Sequence, residues 1–463
     1  MTHSTRLIFH HKKTEMENSR RDFIKKTAVA SAAVSLGGLL PGFTPKSYGN
    51  ILGANDRVKV GIMGVHARGL ALARNYASQK NCEIIYISDV DSHSMNKCIG
   101  VVDKLQNEKP KAAPDFRKAL EDKHLEAMVI ATPDHWHAPA AILACKAGKH
   151  VYVEKPCSHN PREGEWLVAA ARKYNRKVQM GSQRRSWPNI IQAMKEMKDG
   201  VIGRPYFGKG WYTNNRPSIG IGKRVAVPDW INYDLWQGPA PREPYRDNIM
   251  PYNWHWFWNW GTGEALNNGT HMVDLLRWGL GVDYASAVQS MGGRYRYKDD
   301  WQTPDTQVIS WTFSNNTQME WEGRSCNGRD IEGASVGAAF YGETGTLVID
   351  GGNSYKIYDL KNKLIKEVKN DMKIDPRNTV NPSQALDALH IQNFLEGIRQ
   401  DVPLNAEILT GFKSVLLCQL GNIAVRAGNA SFKTDETNGH IIGNDQASRY
   451  WGRDYEKGWE PTV

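Results

Sequence analysis

The sequence predicts an α/β chain in two domains, a parallel-sheet domain followed by a second one rich in strands and hairpins. Three observations carry this reading. Short apolar runs alternate with helix-forming stretches between Val58 and Val153, as expected for strands covered on both faces. Between Ala285 and Tyr358, alternating segments are broken by Asn315-Asn316, Asn327-Gly328, Gly342-Glu343-Thr344-Gly345 and Gly351-Gly352. A length of 463 residues makes two domains the natural division.

The N-terminal stretch reads as an address. Ser19-Arg20-Arg21-Asp22-Phe23-Ile24-Lys25 is a twin-arginine signature, followed by a mildly apolar run over 27–40 and a Pro41-Gly42 break. That run is too short and too weak for a membrane span, and the order is that of an export signal. Residues 1–50 are therefore expected to be signal and linker, with a periplasmic destination and no membrane anchor. Met16, four residues before the arginine pair, is a second candidate start. The formal charge is +10, with eight basic and three acidic residues in the first fifty, so the body is nearly balanced and no nucleic-acid partner is expected. Six cysteines show neither a CxxC pair nor zinc spacing, which argues against a metal site and a disulfide framework.

Residues 58–63 read as a strand, Gly64-Val65-His66-Ala67-Arg68-Gly69 as a turn, and 70–79 as a helix. Such a turn presents free amides and a positive dipole end to a pyrophosphate. Gly64 and Gly69 fill two glycine positions of the dinucleotide fingerprint; His66 stands at the third, and Arg68 could offset it by pairing with phosphate. Strand 83–89 ends in Asp89, 25 residues after Gly64, placed to meet an adenosine ribose and favouring NAD over NADP. A short apolar run at 128–131, a helix from 138 to 146 and a strand at 150–153 follow, and the last delivers Glu154 and Lys155 to the carboxyl edge of the sheet.

Through Glu154-Lys155-Pro156 and the stretches around it, the chain resembles the Gfo/Idh/MocA oxidoreductases. The matching pieces are Gly64 to Gly69, Asp89-Val90-Asp91, Thr132-Pro133-Asp134-His135-Trp136-His137, Ala147-Gly148-Lys149-His150-Val151, Glu154-Lys155-Pro156, Met180-Gly181-Ser182-Gln183-Arg184-Arg185, Gly261-Thr262-Gly263-Glu264, and His271 with Asp274. The resemblance implies an N-terminal Rossmann domain (51–185) and a C-terminal α/β domain (186–385) with a large, mostly antiparallel open sheet. That sheet often serves as an oligomer interface, so a dimer or tetramer is expected. Helices over 386–428 should return to the first domain, and a tail from 429 should wrap over the surface. Implied cofactor contacts are Gly64, Val65, His66, Arg68, Gly69, Asp89, Thr132, Pro133, His135, His137, Glu154, Lys155 and Gln183. Lys155 and His271 match the family's catalytic lysine and histidine. Asn267 stands where an aspartate is usual, and Asn can orient a hydroxyl but cannot take a proton.

For the substrate half, residues 203–212 look like the domain's first strand and 216–244 like an excursion over the cleft. Residues 252–260 alternate tryptophan with other residues, which puts the tryptophans on one face if the segment is extended. Residues 264–279 read as one helix, on which Asp274 and Asn267 could hold His271 in one tautomer. Candidate substrate contacts are Arg184, Trp254, Trp258, Asn268 and His271.

The function expected is NAD-dependent oxidation of a hydroxyl on a sugar or glycoside, with Lys155 polarising the alcohol and His271 accepting its proton. Export implies a cofactor held tightly and recycled in place. One alternative is a glycoside-cleaving enzyme working through transient oxidation and elimination; relatives of that kind carry valine in place of the lysine. Another is a non-catalytic exported sugar-binding protein.

Overall fold

A computed structural model describes residues 57–370 and 383–463. The twin-arginine stretch lies outside the described residues.

The first domain holds β1 (Val58–Met63), α1 (Arg68–Ala77), β2 (Cys82–Ser88), α2 (Ser92–Val102), β3 (Lys111–Ala112), α3 (Phe116–Leu120), β4 (Ala127–Ile130), α4 (Asp134–Lys146), β5 (His150–Val153), α5 (Pro161–Lys173) and β6 (Val178–Met180). Its six strands are parallel, in the order β3-β2-β1-β4-β5-β6. All four residues of β4 are buried, which is why the run is apolar without alternation. Each fully buried Val, Ile or Met there contributes roughly 1.5–3 kcal/mol. Reversal of strand order between β1 and β4 opens a crevice at their carboxyl ends, the place where such sheets bind ligands.

The second domain runs through α6 (Pro188–Lys198), β7 (Pro205–Thr213), α7 (Tyr233–Gln237), α8 (Gly263–Asn267), α9 (Gly269–Leu280), β8 (Ala287–Gly293), β9 (Thr306–Phe313), β10 (Thr317–Arg324), β11 (Val336–Gly342), β12 (Gly345–Ile349), β13 (Tyr355–Asp359) and β14 (Leu364–Val368). After α10 (Gln384–Gln400) and α11 (Ile408–Arg426) come β15 (Ser431–Thr434) and, at the sheet's edge, β16 (Ile441–Ile442). The ten-stranded sheet has the order β14-β13-β12-β11-β7-β10-β9-β8-β15-β16, and its pairs are antiparallel except β7 with β10. Helix α9 lies on one face of this sheet. Gly208 and Gly210 let it approach: a Cβ on Gly208 would lie 2.9 Å from Leu276, and one on Gly210 3.1 Å from Met272. Helix α11 is long and apolar enough to cross a membrane, but most of it is buried inside this fold.

Two expectations fail here. The helix expected over 264–279 is two helices, α8 and α9, parted at Asn268. The segment 252–260 is not extended: Asn253–Trp256 is a turn of 3₁₀ helix, and the tryptophans scatter. Trp256 stacks on Trp301 with ring centres 3.9 Å apart, and Trp260 is fully buried against Trp236. Packing, not strand pleat, sets the alternation.

The tail seats on the first domain. Pro139 inside α4 has no N–H for the carbonyl of His135, one turn back. Arg453 supplies the donor instead, with Nη2 2.8 Å from that oxygen, while its Nε donates to buried Glu163 of α5 at 2.8 Å. Trp459 packs edge-on against Trp136. All six cysteines are free and buried.

Candidate active site

A cavity opens where β1, β2, β4 and β5 end. Gly64 is at φ +80°, and a Cβ there would sit 2.8 Å from the backbone of Ala131. A Cβ on Gly69 would lie 1.7 Å from the Gly64 carbonyl oxygen, so the turn closes only on glycine at both ends. No side chain caps α1, leaving its first amides open to an anion. The Thr132 hydroxyl faces the same cavity, buried with no protein partner. Asp89 accepts from the Val65 amide at 2.6 Å and the Asp91 amide at 2.9 Å, bracing the turn; burial raises its pKa above the usual carboxylate value. Gly64, His66, Thr132, Pro133 and His137 line the cavity. Val65 and Gly69 shape the turn from beneath it.

Arg68 lines the cavity and is also tied to protein: Nε lies 2.7 Å from Glu154 and Nη1 2.6 Å from Asp387. Two other expected cofactor contacts, Gln183 and His135, are not among the residues that line the cavity. Gln183 donates to Glu154 at 3.1 Å from a buried position. His135 is fully buried between the carbonyls of Trp236 and Trp260, and burial pulls its pKa down to about 3. Glu154, which lines the cavity, is thus held from behind by Arg68 and Gln183. A Cβ on Gly181 would lie 2.9 Å from its carboxylate.

Lys155 sits at the inner end. Its Nζ donates to the main-chain oxygen of Asn267 at 2.5 Å and to Asn267 Oδ1 at 3.3 Å. An ammonium has three protons, so one remains for the cavity. Burial lowers the Lys155 pKa, opposed by the charges of Glu154 and Asp134. Asn267 Nδ2 lies 3.4 Å from both Tyr252 Oη and Glu264. The Asn267 side chain therefore orients rather than titrates.

His271 is on α9, 8% exposed, and is not among the residues that line the cavity. Burial, then the charges of Arg184 and Lys155, hold its pKa well below the usual imidazole value. Asp274 does not fix its tautomer: that carboxylate takes a two-pronged bond from Arg185 (2.8 and 2.9 Å) and one from Ser414 at 2.6 Å. Among the other substrate candidates, Arg184 spends Nε and Nη2 on the Gly351 carbonyl, at 3.1 and 2.9 Å. Asn268 turns its amide to Glu264. Trp258 lies under Arg426, with 4.8 Å from guanidinium to ring. Trp254 does line the cavity.

Sequence reasoning gave no role to four wall residues, Leu235 and Trp236 from the excursion and Tyr252 and His255 from the segment after it. The excursion also clasps the loop after β2. The Trp230 carbonyl accepts from Ser92, the Asn232 amide donates to Val90, and Trp230 stacks on His93 with ring centres 4.9 Å apart. Nothing in the local spacing of these residues announces partners so distant along the chain.

A family model described as an oxidoreductase family, NAD-binding Rossmann fold, matches residues 58–182, and its partner, the C-terminal alpha/beta domain of that oxidoreductase family, matches 220–460. The chain belongs to the Gfo/Idh/MocA oxidoreductase family. Its first domain is accordingly an NAD-binding Rossmann domain, and the second is the family's α/β domain. A glycosyl hydrolase family 109 protein of Saccharopolyspora erythraea is 27% identical over 253 residues, covering 50% of this chain and 55% of that one. An inositol 2-dehydrogenase of Rubrobacter xylanophilus is 28% identical over 185 residues, covering 40% and 52%. The chain thus spans about half the length of these curated relatives. Among solved structures, a levoglucosan dehydrogenase in complex with NADH and levoglucosan superposes with a TM-score of 0.62 at 17% identity, over 81% of this chain and 99% of that one. An aldose–aldose oxidoreductase from Caulobacter crescentus gives 0.62 at 15%, over 81% and 99%. At such identities these two speak for the fold alone.

The residues present fit the dinucleotide of this family. Gly64 and the open amides of α1 suit a pyrophosphate, Asp89 a ribose diol, and Thr132 offers an unpaired hydroxyl.

Proposed function

We propose that this protein is an NAD-dependent dehydrogenase for a hydroxyl of a sugar or glycoside. The observation that carries the reading is Lys155, held by Asn267 with one ammonium proton left for the cavity that Gly64 and Asp89 also line. Bound in this cavity, NAD supplies a hydride acceptor. Lys155 donates a hydrogen bond to the reacting oxygen and stabilises the alkoxide that develops there. A histidine takes the hydroxyl proton: His271, the choice made from sequence, or His255, which shares the cavity with Lys155. Trp254 and Tyr252 offer aromatic surface to the apolar face of a pyranose.

The protein is exported by the twin-arginine route, on the strength of residues 19–25. A cofactor lost outside the cytoplasm would not be replaced, so it is held through the catalytic cycle. Self-association through the outer face of the large sheet, where Met291 and Val308 stand exposed, completes the proposal.

A second reading is glycoside cleavage by transient oxidation and elimination, favoured by the likeness to glycosyl hydrolase family 109 proteins. Incubation with methyl and aryl glycosides, followed by product analysis, separates the two. A keto-sugar with the glycosidic bond intact supports the dehydrogenase; released aglycone supports cleavage. Absorbance and mass spectrometry of protein purified without added NAD test retention, and an empty protein would overturn it.

A further inference from the structure

Two imidazoles sense the charge of Lys155, His271 and His255. They differ in what they face. His271 lies on α9 with Asn267 one turn before it, and it stands outside the ring of residues that form the cavity wall. His255 stands in that wall together with Lys155, Asn267 and Tyr252.

The two nitrogens of His255 have distinct environments. Nδ1 lies 2.6 Å from the main-chain oxygen of Tyr252. A carbonyl can only accept, so Nδ1 carries the hydrogen and Nε2 of the neutral ring keeps a bare lone pair. Trp254 stacks on the ring, with centres 3.6 Å apart and planes at 19°, and so fixes its orientation. No described group bonds to Nε2. Here is an oriented proton acceptor, sharing a cavity with an oriented proton donor.

We infer that His255, rather than His271, accepts the proton of the substrate hydroxyl, through Nε2. The inference rests on the dehydrogenase reading above. In the step, the O–H bond breaks and its proton forms the Nε2–H bond. The electron pair left on oxygen closes the C=O bond, and the hydrogen on carbon departs as hydride to the oxidant, the nicotinamide. Lys155 keeps its three protons and donates to the oxygen throughout. The charged groups facing His255 are Lys155 and Arg216, with His137 also near, and burial together with these charges favours the neutral ring that a base requires.

The test compares His255→Asn and His271→Asn with the wild type. Asparagine at 255 can keep a donor toward the Tyr252 carbonyl while removing the acceptor at Nε2, which separates chemistry from support. For His255→Asn, turnover should fall roughly 10²–10⁴-fold, with part of it recovered at high pH, while NADH binding read by tryptophan quenching stays within a few-fold. For His271→Asn, the pH profile should keep its acidic limb. Long-range nitrogen NMR of histidine-labelled protein gives a second readout that needs no turnover. His255 should show a protonated Nδ1, and its Nε2 signal should shift when free hexoses or methyl glycosides are added to the NADH complex. Wild-type turnover in His255→Asn together with a lost acidic limb in His271→Asn overturns the assignment. So does a sugar-induced shift confined to His271. Failure of the dehydrogenase reading looks different: the wild type itself reduces no nicotinamide with any sugar.

Discussion

Lys155 Nζ lies 2.5 Å from the main-chain oxygen of Asn267, a bond across the two domains. The lysine is thereby held by backbone, and the Asn267 side chain is the weaker of its two anchors at 3.3 Å. Lys155→Met, which keeps the stem and removes the charge, should lower turnover about 10²–10⁴-fold with NADH affinity little changed. Asn267→Ala leaves the main-chain anchor in place and should cost less than about tenfold. Steady-state kinetics on both variants checks the contrast; equal losses would mean that the side chain, not the backbone, positions the lysine.

Gly64→Ala should weaken dinucleotide binding and destabilise the fold. At φ +80° a Cβ costs about 1–2 kcal/mol in backbone strain alone, before its 2.8 Å approach to Ala131. Calorimetric titration with NAD, and melting with and without it, read both effects. Normal affinity would show that the turn is not the phosphate cradle.

Arg453→Met should destabilise the first domain by about 3–5 kcal/mol, because it removes the cation from Glu163, fully buried and left with only the Tyr455 hydroxyl and the His159 amide, and unpairs the His135 carbonyl that Pro139 cannot serve. Urea denaturation followed by tryptophan fluorescence measures it. A loss under 1 kcal/mol would show that the tail merely rests on the surface.

Acid should weaken the fold before the carboxylates titrate. His390 is buried and neutral: Nε2 donates to the Met180 carbonyl, Nδ1 accepts from the Ser186 hydroxyl, and burial pulls its pKa down to about 4. In the unfolded chain it protonates near 6.5, so the unfolded state binds more protons below that pH and stability falls as pH falls. It contributes about 1.4 kcal/mol of loss per pH unit between roughly 6.5 and its folded pKa. Melting temperatures of the wild type and His390→Gln at pH 7.5 and 5.5 test this, and an equal drop in both proteins would mean that this ring is not the source.

Much of this was legible in the sequence where the physics is local. Apolar runs marked β1, β4 and β5, and the glycines at 64 and 69 marked a turn that no other residue closes. The carboxyl-edge placement of Glu154 and Lys155 followed from the strand before them. What was illegible depends on distant partners. Alternating tryptophans at 254–260 mimic a strand, yet stacking on Trp301 and burial against Trp236 fold them into a turn. Arg68 lines the cavity as its place in the turn suggests, but its bond to Asp387, 319 residues on, is announced by nothing near it in the sequence. His255 sits among aromatics with no carboxylate at a helical spacing, so only the Tyr252 carbonyl and the cavity reveal its free lone pair.

Oxidation of a sugar alcohol in this cavity under the control of Lys155, as proposed, is open to one direct measurement. Protein loaded with NAD should be mixed with a panel of free sugars and glycosides while nicotinamide absorbance is followed, wild type beside Lys155→Met. The expected result is a sugar-dependent rise in the reduced form for the wild type, roughly a hundredfold or more slower in the variant, with a keto-sugar recovered. Sugar bound by the wild type with no change in nicotinamide absorbance, or equal rates in both proteins, would contradict it.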